Sequence, residues 1–221
     1  MANHSSSIRA VILDLDGTLV DTAEEIALAL NETLVELGLH SISLEAATAL
    51  IGRGVRVLVE RAVEQVGATV ELDRAVEIFE ARYERLVATR ATLFPGVKEG
   101  LDAMRAASLK LGVVTNKPRL FTEKLLSHLD VEKMFDTVVA GDDGIRRKPS
   151  GEMLAAAAKN MGTRIDQTLM VGDSDNDVLA ARDAGCLVWC VPYGYNEGRP
   201  AESLGCDRMV ATVLEAARLL K

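Results

Sequence analysis

The sequence is poor in cysteine, aromatic residues and long apolar runs, and it lacks any excess of positive charge. Its three cysteines, Cys186, Cys190 and Cys206, are an odd number with no secretion signal ahead of them, which fits reduced thiols. Cys186 and Cys190 have the spacing of half a zinc site, but no His or Cys pair completes it; core or surface thiols are expected. His4, His40 and His128 are scattered and expected at the surface. A net charge of −8 argues against a nucleic-acid partner, yet permits an anionic substrate at a locally positive site. No apolar run approaches a membrane span. Met1–Ser7 is short and polar without an apolar signal core, so a frayed tail on a cytoplasmic protein is expected. No Gly-x4-Gly-Lys-Ser/Thr segment occurs, which argues against an NTPase P-loop.

What is present begins with Val11-Ile12-Leu13-Asp14-Leu15-Asp16-Gly17-Thr18. The apolar, β-branched start reads as a buried strand. Two carboxylates follow it, and a carboxylate at a buried strand tip is costly unless paired or bound to a cation. Oxygen ligands for a hard metal ion are one answer; an acidic turn is the plainer one.

Three helical stripes follow: Ile26 to Leu37, Val55 to Val66, and Leu72 to Val87. Beyond the turn Phe94-Pro95-Gly96 the pattern changes. Strands are expected at Leu111–Thr115, Thr137–Ala140, Thr168–Gly172 and Leu187–Val191, with helices between them and a closing helix to Leu220. This alternation predicts an α/β fold with a mostly parallel, Rossmann-like sheet. The connection from the first strand to the second is far longer than one crossover helix needs. Residues 21–93 are therefore expected to form an inserted all-helical domain, with 1–20 and 94–221 forming the sheet domain.

Ligands of an open parallel sheet lie beyond the carboxyl ends of its strands. That rule selects Asp14–Thr18, Thr115–Lys117, the loop after Ala140, and Gly172–Asp177. Asp173 and Asp177 are four residues apart and can share one face of a starting helix, although helix-capping alone would also use them. Asp14, Asp16 and Asp173 together would offer an all-oxygen site suited to Mg²⁺. Thr115-Asn116 offers donors for phosphate oxygens, or a simple cap. One of Arg146, Arg147 and Lys148 could offset the negative charge, and sequence physics does not choose among them. Such a site points to phosphoryl transfer, with Asp14 attacking phosphorus and Asp16 handling the proton.

At this point the chain resembles the haloacid dehalogenase superfamily of aspartate-nucleophile phosphatases. Asp14-Leu15-Asp16-Gly17-Thr18, Thr115-Asn116, Lys148-Pro149 and Gly172-Asp173-Ser174-x-x-Asp177 look like its four motifs, in its order. The resemblance implies Asp14 as nucleophile and Mg²⁺ ligand, and Asp16 as acid/base with its backbone carbonyl on the metal. It implies Asp173 as a third ligand, Asp177 in support, and Thr115, Asn116 and Lys148 on the phosphate. It is what selects Lys148. It also implies that the helical insertion is a mobile cap, and within the superfamily the chain is most similar to bacterial phosphoglycolate phosphatases. The weaker signals for this are Val20-Asp21, Ile51-Gly52-Arg53-Gly54 and Tyr193-Gly194-Tyr195-Asn196. Arg53 is a candidate for pairing with a substrate carboxylate, or an exposed loop arginine. The expected partner is a small phosphorylated metabolite, with Mg²⁺ as cofactor and the protein a monomer or homodimer. Sugar-phosphate phosphatases and β-phosphoglucomutase-like phosphomutases are the related alternatives, and a non-catalytic binding module on the same fold is a third. One departure from the family pattern stands at Gly151, where a second proline is common.

Overall fold

The computed structural model describes residues 8–220; the expectations for Met1–Ser7 and His4 fall outside that range. In chain order the described elements are β1 (Ala10–Leu13), β2 (Val20–Asp21), α1 (Ala23–Glu36), α2 (Leu44–Thr48), α3 (Val55–Gln65), α4 (Leu72–Leu86) and β3 (Thr92–Leu93). Then come α5 (Val97–Ala106), β4 (Lys110–Val114), α6 (Arg119–His128), β5 (Thr137–Val139), α7 (Glu152–Asn160), β6 (Thr168–Gly172), α8 (Asp175–Ala184), β7 (Leu187–Cys190), β8 (Arg208–Met209) and α9 (Val213–Leu219).

Six strands form one parallel sheet in the order β5-β4-β1-β6-β7-β8. Alternation along the strands divides the core between the two faces. Val11, Leu13, Leu111, Val113, Leu169 and Val171 pack with residues of α5, α6 and α9. Ala10, Ile12, Val114 and Met170 pack with Met153, Leu154 and Ala157 of α7 and Val178, Ala180 and Ala181 of α8. Cys186 and Cys190 are buried in that second cluster, and Cys186, Cys190 and Cys206 are all free thiols. His40 and His128 are exposed. No described helix is long and apolar enough to cross a membrane.

The expected helices between the first two long strands form as α1, α3 and α4. α4 buries Ala75, Ile78, Phe79 and Tyr83 at helical spacing, and its N-terminus is capped by the Glu71 side chain, which accepts from the N–H groups of Asp73 and Arg74. α2 and β8, with five and two residues, were not expected. Nor was the antiparallel ribbon in which Val20 pairs with Leu93 and Asp21 with Thr92. This ribbon is the place where the chain leaves the sheet and returns to it.

At Gly151 the absent proline has a local reason. A Cβ built there would lie 2.4 Å from the backbone nitrogen of Ala184, and the Gly151 N–H donates to Asp183 Oδ2. The start of α7 thus touches the end of α8, where any side chain would collide.

Candidate active site

β1 sits between β4 and β6, so the carboxyl ends of all three strands face one crevice. Asp14 follows β1 directly, and its N–H continues the ladder to the Val171 carbonyl at 3.0 Å. Its Oδ1 accepts from the Leu15 N–H at 2.7 Å and from Lys148 Nζ at 2.8 Å; Oδ2 is left for a further partner. The chain then turns tightly, with the Leu15 carbonyl accepting from the N–H groups of Thr18, Leu19 and Val20. Gly17 has φ +85°, and a Cβ there would lie 2.5 Å from Asp173 Oδ2. The glycine therefore lets the loop after β1 press against the tip of β6.

At that tip, Asp173 Oδ1 accepts from Thr18 Oγ1 and its Oδ2 from the Tyr195 N–H, each at 2.8 Å. Asp177 is fully buried. Its Oδ2 accepts from the N–H groups of Asp173 and Ser174 and from Ser174 Oγ, which caps α8. Its Oδ1 accepts from Lys148 Nζ at 2.7 Å. Asp177 thus caps α8 with one oxygen and pairs with Lys148 through the other. Of the three adjacent cations, Lys148 is the one buried here; Arg146 is exposed beside Glu152, and Arg147 donates to the Gly141 carbonyl.

Carboxylate oxygens of Asp14, Asp173 and Asp177 all lie within 4.8 Å of one another. Two of these buried acids, Asp14 and Asp177, share the Lys148 ammonium, and Asp173 stands beside them without a cation of its own among the described residues. Burial, and then the charge of Asp177, pushes the Asp173 carboxyl up to about 7. Burial also holds Asp14 well above the usual carboxylate range; Lys148 opposes this, while Asp177 and Asp173 add to it. Burial disfavours the charged Lys148, but Asp14 and Asp177 together outweigh it and hold its ammonium above the ordinary lysine value. This cluster fits a hard divalent cation: the donors are all oxygen, they are close, and their charge exceeds what Lys148 balances.

Asp16 turns its carboxylate away from that cluster. It accepts from Thr22 Oγ1 at 2.7 Å and from Lys117 Nζ at 2.9 and 3.0 Å. Thr115 and Asn116 stand at the tip of β4. Thr115 Oγ1 accepts from the Lys117 N–H, and the Asn116 amide donates to the carbonyls of Gly52 and Lys148, each at 3.0 Å. The buried Asn116 Oδ1 and Asn176 Nδ2 have no partner.

Between these tips and the helices lies a cavity of about 40 Å³. Asp14, Asp16, Thr115, Asn116 and Lys117 form its polar side, and Ile26, Ile51, Val55, Leu58, Phe79 and Phe121 its apolar walls. Arg53 is not among the lining residues. Its guanidinium pairs with Glu197 and is half exposed.

Sequence reasoning placed Lys117 in a strand-end segment but gave it no role, and it missed Tyr83 and Glu25. Lys117 Nζ lies over the Tyr83 ring, and the Tyr83 hydroxyl donates to Glu25 Oε1 at 2.9 Å. Burial, followed by the charges of Asp16 and Glu25, holds the Tyr83 hydroxyl well above its usual value. The signal in the sequence for Lys117 was its place in the strand-end segment Thr115–Lys117; Tyr83 and Glu25 carried none.

Comparison with known proteins identifies the family and the fold. A model of the haloacid dehalogenase-like hydrolases matches residues 11–191. A phosphoglycolate phosphatase of Nitrosospira multiformis is 42% identical over 223 residues, covering 97% of this chain and 96% of that protein. The crystal structure of a predicted phosphoglycolate phosphatase from Haemophilus somnus superposes with a TM-score of 0.91 at 28% identity, covering 98% and 100% of the two chains. CbbY from Rhodobacter sphaeroides, in complex with phosphate, gives 0.79 at 25% identity, covering 94% and 96%. The chain belongs to the haloacid dehalogenase-like hydrolase family.

Proposed function

We propose that this enzyme is a Mg²⁺-dependent phosphomonoesterase acting on a small phosphorylated metabolite, phosphoglycolate first among them, through an aspartyl phosphate. The observation that carries the reading is the buried cluster of Asp14, Asp173 and Asp177 around Lys148. The relative at 42% identity, a phosphoglycolate phosphatase, supports the substrate.

Asp14, Asp173 and the backbone carbonyl of Asp16 would hold the metal, with Asp177 fixing Asp173 and Lys148 from behind. Bound there, a divalent cation supplies charge neutralisation for a phosphate beside three carboxylates. Asp14 attacks phosphorus through a carboxylate oxygen, and the bond from phosphorus to the ester oxygen breaks. Asp16 gives its proton to that leaving oxygen. Water then attacks the same phosphorus, Asp16 takes a proton from it, and phosphate departs from Asp14. Thr115, Asn116 and Lys148 position the phosphate. Because the Asn116 amide nitrogen is committed to two carbonyls, its contribution comes from the backbone.

Residues 21–93 act as a cap over residues 1–20 and 94–221, opening at the β2–β3 ribbon to admit substrate and closing to exclude water. The test is a panel of phosphorylated metabolites with purified protein, with and without Mg²⁺. Metal-dependent phosphate release, highest on phosphoglycolate, is expected; no release from any member would refute the reading.

A further inference from the structure

Lys117 has no role in the resemblance and none in the mechanism above, yet it is buried at the cavity and lines it together with Asp14 and Asp16. We propose that Lys117 recognises a carboxylate on the leaving group, restricting the enzyme to phosphate esters of short hydroxy acids. The inference rests on the phosphatase reading and adds a specificity-determining residue to it.

Three observations support it. Of the described residues lining the cavity, Lys117 alone is cationic. The neutral part of a substrate gains from the apolar walls, but an anionic end would be stranded among Ile26, Ile51, Phe79 and Phe121 without a cation to meet it. Next, an ammonium has three N–H donors. Two are occupied by the oxygens of Asp16, which leaves one for a ligand. The lysine is also held in advance. Tyr83 lies under Nζ at 4.7 Å from the ring centre, and the ring is fixed by Glu25 through its hydroxyl and by Phe121 edge-on at 4.9 Å. A cation so placed loses little freedom on binding.

The cavity limits size as well. About 40 Å³ is room for roughly three water-sized positions at about 10–15 Å³ each. In the arrangement seen here that space suits a two- or three-carbon acid better than a hexose. Arg53, the other candidate for a carboxylate, does not line the cavity and pairs with Glu197.

The experiment compares phosphoglycolate with ethyl phosphate, which has the same two carbons and no carboxylate, on wild type, Lys117→Met and Lys117→Arg with Mg²⁺. The readout is the ratio of kcat/KM for the two substrates. This ratio cancels any common loss from a displaced Asp16. The wild type should prefer phosphoglycolate by about 100-fold, Lys117→Met should bring the ratio near one chiefly through KM, and Lys117→Arg should keep most of it. Equal proportional losses on both substrates would overturn the proposal and leave Lys117 as a residue that positions Asp16. A wild-type ratio near one overturns it without any variant, so the test survives a Lys117→Met protein that does not fold. If wild type releases phosphate from neither substrate nor from any other phosphomonoester, the phosphatase reading has failed; activity confined to uncharged esters refutes the carboxylate proposal alone.

Discussion

Lys117 Nζ lies 4.7 Å from the centre of the Tyr83 ring, so a cation from beyond the carboxyl end of β4 rests on an aromatic face supplied by α4. The same ring donates its hydroxyl to Glu25 of α1, a carboxylate with no solvent exposure. Tyr83→Phe keeps the face and removes the donor. It should cost about 1–3 kcal/mol, the usual penalty for a buried acceptor left unpaired. Tyr83→Leu also loses the cation–π contact, worth about 0.5–2 kcal/mol, and should be the less stable variant. Urea denaturation of the two proteins beside wild type measures both steps.

Asp14→Asn keeps the shape of the side chain and removes its nucleophilicity. Turnover of any phosphomonoester should fall by about 10⁴-fold or more, with no acid-stable phosphoenzyme trapped on rapid quenching. Full activity in this variant would remove Asp14 from the role assigned to it.

Lys148→Met places Asp14 and Asp177 together without their shared ammonium. Breaking a buried ion pair from one side costs about 3–5 kcal/mol, so the metal-free variant should melt well below wild type. Excess Mg²⁺ should return part of that loss, because it supplies charge to the same carboxylates. Thermal melts in EDTA and in Mg²⁺ test both statements.

Burial, and then the charge of Asp177, pushes the Asp173 carboxyl up to about 7 in the folded protein, against an ordinary value of 3.8. Ionising it therefore costs the folded state more than the unfolded one. The penalty is absent below about pH 4, grows as pH rises through that window, and is complete above about pH 7. Metal-free protein should lose stability across this range. Metal needs the ionised carboxylate, so the rise in Tm produced by Mg²⁺ should grow from about pH 5 to about pH 8. A Tm increment that does not change with pH would contradict the assignment of Asp173 to the metal.

The long elements were legible because each repeats its pattern enough times to be read. β6 spans Thr168–Gly172 as expected, and α3 begins at Val55 as expected. The β2–β3 ribbon has two residues per strand, too few for any alternation to show. Glu25 was hidden differently: an acid in the first turn of a helix is favoured by the helix dipole even at the surface, so nothing in the sequence distinguishes a buried one. Lys117 sits 101 residues from Asp16, and no local pattern encodes a contact at that separation. Asp14, Asp173 and Asp177 could be found because strand ends converge in this topology, whereas the pairing of Arg53 with Glu197 depends on two loops 144 residues apart.

The ribbon has a consequence for how such a protein can change. Val20 and Leu93 are ladder partners, so the departing and returning ends of the helical segment lie about 5 Å apart. That gap is one a tight turn can bridge. Lengthening, shortening or exchanging everything between those two residues leaves the strand register of the sheet untouched. The cavity walls that come from the helical segment, among them Ile26, Ile51, Val55, Leu58 and Phe79, can therefore change while the strand tips that carry Asp14 and Asp173 keep their places, by recombination as readily as by point mutation.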